Sequence, residues 1–181
     1  MRHVALLRGI NVGGKNKLPM KELAAMFAEA GCAEVATYIQ SGNVVFSAGA
    51  ALAKRIPGLI SAEIAARFGH RVPLVMRSAT ELAKVVRENP FIVGGVGGVD
   101  ATLLHVAFLD VVPSSSQISS LEAPRFVPDE FVVRGREVFL RLPNGVGKSK
   151  LTNAYLDGRL KAVSTLRNWR TVLELVRMCE A

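Results

Sequence analysis

Cysteine and aromatic residues are scarce in this chain of 181 residues. Its two cysteines, Cys32 and Cys179, lie far apart and outside any C-x-x-C spacing, which predicts reduced thiols rather than a disulfide. The three histidines, His3, His70 and His105, show no metal-ligand spacing, so we expect neither a metal nor a cofactor. Aromatic residues make up 6% of the chain, and its strands lack the aromatic signature of an RNA-recognition motif.

Long apolar runs are also missing, and no run approaches the roughly 20 residues that span a bilayer. The first residues offer only a short apolar stretch before Arg8, which is too little for the core of a signal peptide. We therefore expect a cytoplasmic protein that does not enter a membrane. Half of the residues are hydrophobic and 21% are charged, a balance that favours a buried core over disorder.

The familiar catalytic motifs are missing as well, including H-E-x-x-H and G-x-S-x-G. The segment from Gly145 to Ser149 looks like the end of a phosphate-binding loop, but Leu142 stands where that loop needs its first glycine. Asp129 and Glu130 are neighbours before a strand, where side chains alternate, so they are unsuited to paired acid–base work. The sequence leaves open whether the protein is an enzyme, and it gives no oligomeric state.

Positive charge is in excess, and most of the excess lies toward the carboxyl terminus. The net charge is +8, and residues 134–181 hold ten Lys or Arg against four Asp or Glu. The first 133 residues hold thirteen and eleven. A basic region of this kind is suited to an anionic small molecule, to nucleic acid or to an acidic partner. A solvated face that serves only solubility is the alternative.

The hydrophobic periodicity predicts a ferredoxin-like order of elements, β-α-β-β-α-β, within residues 1–78. A capping box at Ser78–Glu81 then opens a helix, which is followed by a flexible glycine stretch at 94–98. The expected elements of this half are a strand at 3–8, a helix from Pro19 to Gly31, strands at 35–39 and 44–46, a helix at 51–68 that begins or bends near Pro57, and a strand at 72–76.

The same order repeats in residues 79–181. We therefore predict an α+β protein of two tandem ferredoxin-like plaits, with antiparallel sheets, helices on one face and a carboxyl-terminal helix. The domains are expected at 1–78 and 79–181. The expected elements of the second are a strand at 103–109, helices at 114–121 and 149–156, strands at 126–133, 137–142 and 162–163, and a last helix from Leu166 with Trp169, Leu173 and Val176 on its apolar face.

The chain resembles the bacterial domain-of-unknown-function 1697 family in five segments, at 5–16, 37–46, 89–91, 149–151 and 165–169. The resemblance spans nearly the whole chain, and its first two segments are the specific ones. It implies two ferredoxin-like subdomains and no established activity, substrate or catalytic residue. One departure is visible, because the family tends to have a second Thr before its Arg-Asn-Trp run, where this chain has Leu166.

The glycine-rich loop at 9–17 is the first candidate for a ligand site. It joins a strand to a helix, and backbone N–H groups in such loops bind anions well. The alternative is a connection whose glycines serve only backbone geometry. We expect the turn at 40–43 to leave the sheet at the same end, because the first two strands share a direction. The residues predicted to line this site are Arg8, Asn11, Gly13, Gly14, Lys15, Gln40, Ser41 and Asn43.

A second group of candidate contacts lies in the other half. Lys148, Ser149 and Lys150 are expected at a helix amino terminus. Arg167 and Asn168 are expected near the last helix, with Arg167 on its solvent-exposed face. The function predicted is binding of a phosphate- or carboxylate-bearing small molecule. The alternatives are a sequence-indifferent nucleic-acid-associated module, which needs only Lys and Arg, and a protein-interaction module that uses a sheet edge.

Overall fold

The computed structural model describes residues 1–93 and 100–181, so the glycine stretch predicted at 94–98 lies outside the described residues. The chain forms two compact units. One comprises Met1–Leu82 with Leu175–Ala181, and the other comprises Ala83–Glu174. Among the described residues, no helix is long and apolar enough to cross a membrane.

The first unit is built on a four-stranded antiparallel sheet. Its elements in chain order are β1 (Arg2–Leu7), α1 (Met20–Glu29), β2 (Ala33–Tyr38), β3 (Asn43–Ser47), α2 (Ala50–Phe68) and β4 (Leu74–Ser78). The strand order is β2-β3-β1-β4, which is the order of a ferredoxin-like plait. α2 begins seven residues before Pro57 and continues through it, so this proline does not start the helix.

Alternation along the central strands places one apolar face under the helices. Ala5 and Leu7 of β1 join Val44 and Phe46 of β3 in a buried cluster with residues of α1 and α2. Phe27 of α1 packs on Phe46 with ring centroids 5.0 Å apart. Leu7 belongs to the same cluster, so the core also holds the carboxyl end of β1 against the helices.

The second unit repeats this arrangement. The rest of the chain contains α3 (Ala79–Arg87), α4 (Pro90–Val93), β5 (Leu104–Leu109), α5 (Ser115–Ser119), β6 (Glu130–Arg134), β7 (Glu137–Arg141), α6 (Asn153–Leu160), β8 (Ser164–Asn168) and α7 (Trp169–Glu180). The second sheet has the order β6-β7-β5-β8, with every pair antiparallel. The predicted fold class of two tandem plaits with a carboxyl-terminal helix is therefore confirmed.

The structure corrects the predicted end of the chain. The helix predicted at 149–156 is α6, four residues later, and the last strand is β8 rather than 162–163. Leu166 belongs to β8, and α7 begins at Trp169 because the Asn168 side chain accepts the Thr171 N–H at 2.8 Å and caps the helix. Leu173, which was expected on the apolar face of α7, is 42% exposed.

The two sheets repeat one residue pattern. The segment at 3–7 reads H-V-A-L-L and the segment at 105–109 reads H-V-A-F-L. Arg77 of β4 and Arg167 of β8 stand opposite the valine of each segment. Both arginines are buried, and each donates Nη1–H to the carbonyl oxygen of the residue before it, at 2.7 and 2.8 Å.

The first residue of each repeated segment is a buried histidine. His3 is 8% exposed and stacks on Phe46, and its Nε2 has no hydrogen-bond partner within the described part of the chain. His105 is 6% exposed, and its Nδ1 lies 3.4 Å from the Leu103 carbonyl oxygen. Burial lowers the pKa of both imidazoles below the usual 6.5.

Cys32 and Cys179 are both free thiols, as predicted. Desolvation raises the pKa of each thiol, so both are held in the protonated, unreactive form at neutral pH.

Substituting Gly42 tests the close approach of the turn backbone to Leu7 and Ile10. A Cβ at Gly42 would lie 2.7 Å from the Leu7 Cβ and 2.9 Å from the Ile10 Cδ1, on a backbone with φ of 77°. We expect Gly42→Ala to lower the free energy of unfolding by roughly 2–4 kcal/mol, from left-handed strain and overpacking together. Urea denaturation measures this. Gly69→Ala is the control, because φ is 70° there and a Cβ meets nothing within 4 Å. Equal losses in the two variants would contradict the packing argument.

The two buried histidines predict a pH-dependent stability. Their folded-state pKa lies below the unfolded value of about 6.5, so the unfolded chain takes up protons first as the pH falls. The stabilisation by the neutral rings is complete above pH 6.5 and is lost as the pH falls through the folded pKa. We expect the urea midpoint to drop between about pH 7.5 and 5.5, and to drop less in a His3→Gln/His105→Gln variant. Parallel curves for the two proteins would contradict this role.

Candidate functional site

Three chain connections meet at the carboxyl end of β1 in the first unit. The Leu7 N–H donates to the Gly42 carbonyl at 2.8 Å, and the Arg8 N–H donates to the Pro73 carbonyl at 3.0 Å. The β1–α1 loop (residues 8–19), the β2–β3 turn (39–42) and the α2–β4 connection (69–73) therefore lie side by side. We call these three segments the basic rim. The loop and the turn share one end of the sheet, as the strand directions predicted.

Asn11 clamps the loop to the turn. Its side-chain amide donates to the Leu18 and Gln40 carbonyl oxygens, both at 2.9 Å, and its Oδ1 accepts the Leu18 N–H at 2.8 Å. Because an asparagine amide has two N–H donors, this pair of bonds uses both of them. Asn11 thus positions the rim, and its amide is already engaged where we expected a ligand contact.

Asn43 holds the turn from the inside. It is fully buried, and its amide donates to the Tyr38 carbonyl oxygen at 3.1 Å and to the Ser41 Oγ at 3.0 Å. Ser41 is half-buried and Gln40 is exposed. Of the three candidates in the turn, Gln40 is the one whose side chain faces solvent most fully.

The loop projects as a miniature hairpin. The Lys15 N–H donates to the Val12 carbonyl at 3.0 Å, and the intervening Gly13 and Gly14 have φ of 58° and 76°. Positive φ at both central positions defines a type I′ turn, which explains the two glycines. The Asn16 amide closes the base by donating to the Gly9 carbonyl at 2.8 Å. The turn therefore carries Lys15 on a defined backbone.

The basic rim also concentrates unusual backbone conformations. Asn11, Asn16 and Ile39 are three of the five non-glycine residues with positive φ among the described residues. Ile39, at φ 47°, is β-branched and disfavours this region, at a cost of about 1–3 kcal/mol. Its side chain is 50% exposed, so core packing does not account for the conformation. Strain of this kind clusters at functional sites.

Charge on the basic rim has one sign. Its three segments contain Arg8, Lys15, Lys17, His70 and Arg71 and no Asp or Glu. Both lysines and Arg71 are exposed, and Arg8 is half-buried. α1 begins directly after the loop, and its N-cap residue makes no side-chain capping bond. The first N–H groups of the helix add a partial positive charge at the same place, which Glu22 in the first turn of α1 partly offsets.

The structure gives the predicted contacts of the second group different roles. Lys148 and Lys150 line an open cleft in the second unit. The Ser149 Oγ accepts the Leu151 N–H at 3.1 Å, so this hydroxyl stabilises the loop. The helix amino terminus expected beside them is elsewhere, because Thr152 caps α6 by accepting the Tyr155 N–H.

The side chains of Arg167 and Asn168 make hydrogen bonds within the protein. Arg167 is a buried β8 residue that donates to the Thr165 Oγ1 and the Leu166 carbonyl, both at 2.8 Å, so its expected place on a solvated helix face is wrong. Burial lowers the pKa of its guanidinium to about 10. Asn168 is exposed, but its Oδ1 is used in capping α7.

The sequence prediction missed three residues, of which two belong to the basic rim. His70 and Arg71 join the basic rim because β4 runs antiparallel to β1, so the connection before β4 ends where the loop after β1 starts. Arg77 is 1% exposed and was passed over. The signal for it was the repeat of H-V-A at positions 3 and 105, which aligns Arg77 with Arg167.

Comparison with known proteins places the chain in a family. Residues 1–139 match the family described as "Protein of unknown function (DUF1697)". No curated protein matches the sequence. The structure of a conserved bacterial protein from Streptococcus pneumoniae is similar over 99% of this chain and 98% of that chain, with 22% identity and a TM-score of 0.71. That likeness shows a shared fold, and the match over most of the chain shows that this protein belongs to the DUF1697 family.

Proposed function

We propose that the basic rim binds a small molecule that carries a phosphate or carboxylate group. The observation that carries the proposal is the charge of the basic rim, where four Lys or Arg and one His stand on three adjacent segments without a carboxylate. An anion placed there meets attraction from every charged side chain of these segments and repulsion from none.

The fixed backbone of the basic rim supports this proposal. Asn11 ties the loop to the turn by hydrogen bonds, Asn43 holds the turn from the inside, and Gly42 packs against Leu7 and Ile10. A ligand that binds a pre-organised loop avoids much of the entropy cost of ordering it. The exposed contacts available to the anion are Lys15, Lys17, Arg71 and the side chain of Gln40, with the half-buried Arg8 at the edge.

Lysine suits an anion whose orientation varies. Its ammonium group acts as a compact point charge with three donors, whereas arginine offers a planar fork to one geometry. Lys15 and Lys17 lie on either side of Asn16, which is pinned to the Gly9 carbonyl. The loop thus presents two flexible charges from a rigid base, an arrangement that fits the terminal phosphate or carboxylate of a larger molecule.

Nucleic-acid association is the second candidate function, and the net charge of +8 favours it. It would use the same side chains on backbone phosphates. Protein interaction through the edge strand β2 has less support. Its pairing with β3 shifts register between Ala33 and Ala36, and Glu34 between them has φ of 51°. An irregular edge of this kind is a poor template for an added strand.

The lysines of the loop provide the test. We expect Lys15→Ala/Lys17→Ala to weaken binding of pyrophosphate, ATP or citrate at least tenfold, because charge-assisted hydrogen bonds contribute roughly 1.5–3 kcal/mol each. Isothermal titration calorimetry measures the affinity. Lys54→Ala/Arg55→Ala on exposed positions of α2 removes the same charge and should leave binding unchanged. Equal weakening in both variants, or binding of none of the three probes to the wild type, would refute the site.

An Asn11 variant tests whether this residue positions the loop and the turn. Asn11→Ala should lower the free energy of unfolding by about 1–3 kcal/mol, because it leaves carbonyl oxygens of the loop and turn without their donor.

A titration with duplex DNA at about 50 and 200 mM salt tests the second candidate function, nucleic-acid association. A steep loss of affinity between those concentrations, with no binding of the small anions, would favour nucleic-acid association.

A further inference from the structure

A cleft in the second unit has the form of an anion site of its own. It has a volume of about 220 Å³ and lies between the segment at 125–129 and the β7–α6 loop. Its polar walls carry Arg125, Asn144, Lys148 and Lys150, and its single carboxylate is Asp129. We propose that this cleft binds the phosphate group of a small phosphomonoester. The proposal stands apart from the function proposed for the basic rim.

One wall of the cleft is fixed by aromatic packing. Phe126 is 5% exposed and packs on Tyr155 with ring centroids 4.8 Å apart, and on Phe131 at 6.4 Å. The Asp129 N–H donates to the Phe126 carbonyl at 2.7 Å, which closes the turn after it. The wall formed by 125–129 therefore has a defined shape before any ligand arrives.

The opposite wall is a chain of short turns between two buried leucines. Leu142 and Leu151 are 0% and 1% exposed and anchor the loop at either end. Between them the Gly145 N–H donates to the Leu142 carbonyl at 3.0 Å, and the Lys148 N–H to the Gly145 carbonyl at 3.2 Å. Lys148 and Lys150 are exposed side chains on this anchored loop.

The charges around the cleft favour a dianion. Arg125 already pairs with Glu122 at 3.2 Å, and Asp129 on the same wall is an acidic residue. The attraction for an anion therefore comes mainly from Lys148 and Lys150 on the opposite wall. Two ammonium groups on one wall match a phosphomonoester, which carries close to two negative charges at neutral pH. A monocarboxylate would satisfy one of them. Asn144 adds an amide donor for a further phosphate oxygen.

The size and the rim of the cleft define the rest of the ligand. Its volume is below the roughly 300 Å³ of a site for a drug-sized molecule, so it suits the phosphate and little more. Val127 is 77% exposed and adjoins Pro128 at the edge, an apolar shelf for the carrier group. The same chemistry occurs in free phosphomonoesters and at the terminal phosphate of a nucleic acid strand, and the experiment below distinguishes them.

The test is an amide-resolved NMR titration of the full chain with phenyl phosphate, inorganic phosphate and acetate at about 150 mM NaCl, where exposed charges are screened beyond ~8 Å. We expect saturable shifts at Asn144, Gly147, Lys148 and Lys150, tightest for phenyl phosphate and weakest for acetate. Lys148→Ala/Lys150→Ala should weaken phenyl phosphate binding at least tenfold while the rest of the spectrum stays that of the folded protein. The charge-matched Lys54→Ala/Arg55→Ala and Lys15→Ala/Lys17→Ala variants should keep the wild-type affinity at these amides.

Each outcome decides the proposal. No saturation at the cleft amides, or equal affinity for acetate and phenyl phosphate, would overturn it. A loss of affinity in all three double variants would show diffuse attraction by net charge in place of a site.

A short single-stranded oligonucleotide, with and without a 5′-phosphate, tests whether the phosphate can belong to a nucleic acid end. Shifts that require the 5′-phosphate support the monoester site on a nucleic acid end, and shifts without it would show phosphodiester binding and overturn the proposal. If the basic rim binds none of its probes, the result at the cleft still stands, because the two sites use different residues.

Discussion

The amide of Asn11 links two segments that are 29 residues apart in the chain, and the shape of the basic rim depends on that link. The loop after β1 has no regular secondary structure to hold it, and its exposed residues from Val12 to Lys17 bury little surface. Its geometry comes instead from the bonds of Asn11 to Leu18 and Gln40 and from the type I′ turn at its tip. Ile10 and Leu18 anchor the ends of the loop in the core, and between them polar side chains and glycines set its shape.

The order of the elements could be predicted from the sequence because apolar periodicity and glycine positions agree with each other through most of the chain. The last strand could not, because Leu166 and Trp169 have the spacing of one helical face as well as of a strand followed by a helix. The decisive residue was Asn168, whose capping bond to Thr171 marks the helix start. A lone asparagine in an apolar pattern does not reveal that role before the structure is known.

The candidate sites were predictable in position and less so in detail. Strand direction alone brought the glycine loop and the turn of residues 40–43 to one place. Which of these side chains can reach a ligand depends on burial, and the sequence does not show it. Asn43 and Ser41 are both small polar residues, yet Asn43 is buried and Ser41 is half-buried. Arg167 was misplaced because charged residues are almost always at the surface, and a strand position that buries a guanidinium has no local mark.

That buried guanidinium restricts the choice of amino acid at its position. With a pKa of about 10, Arg167 keeps its proton at neutral pH even though burial opposes the charge. A lysine starts from about 10.4 and is more strongly hydrated, so equal burial would bring it much closer to discharge. Arginine is therefore the better suited of the two common basic residues to keep its charge in the interior of this unit. Alkaline conditions strong enough to remove that proton would turn the group from a charged donor into a neutral one, and the bonds to the Thr165 Oγ1 and the Leu166 carbonyl would weaken from within the sheet.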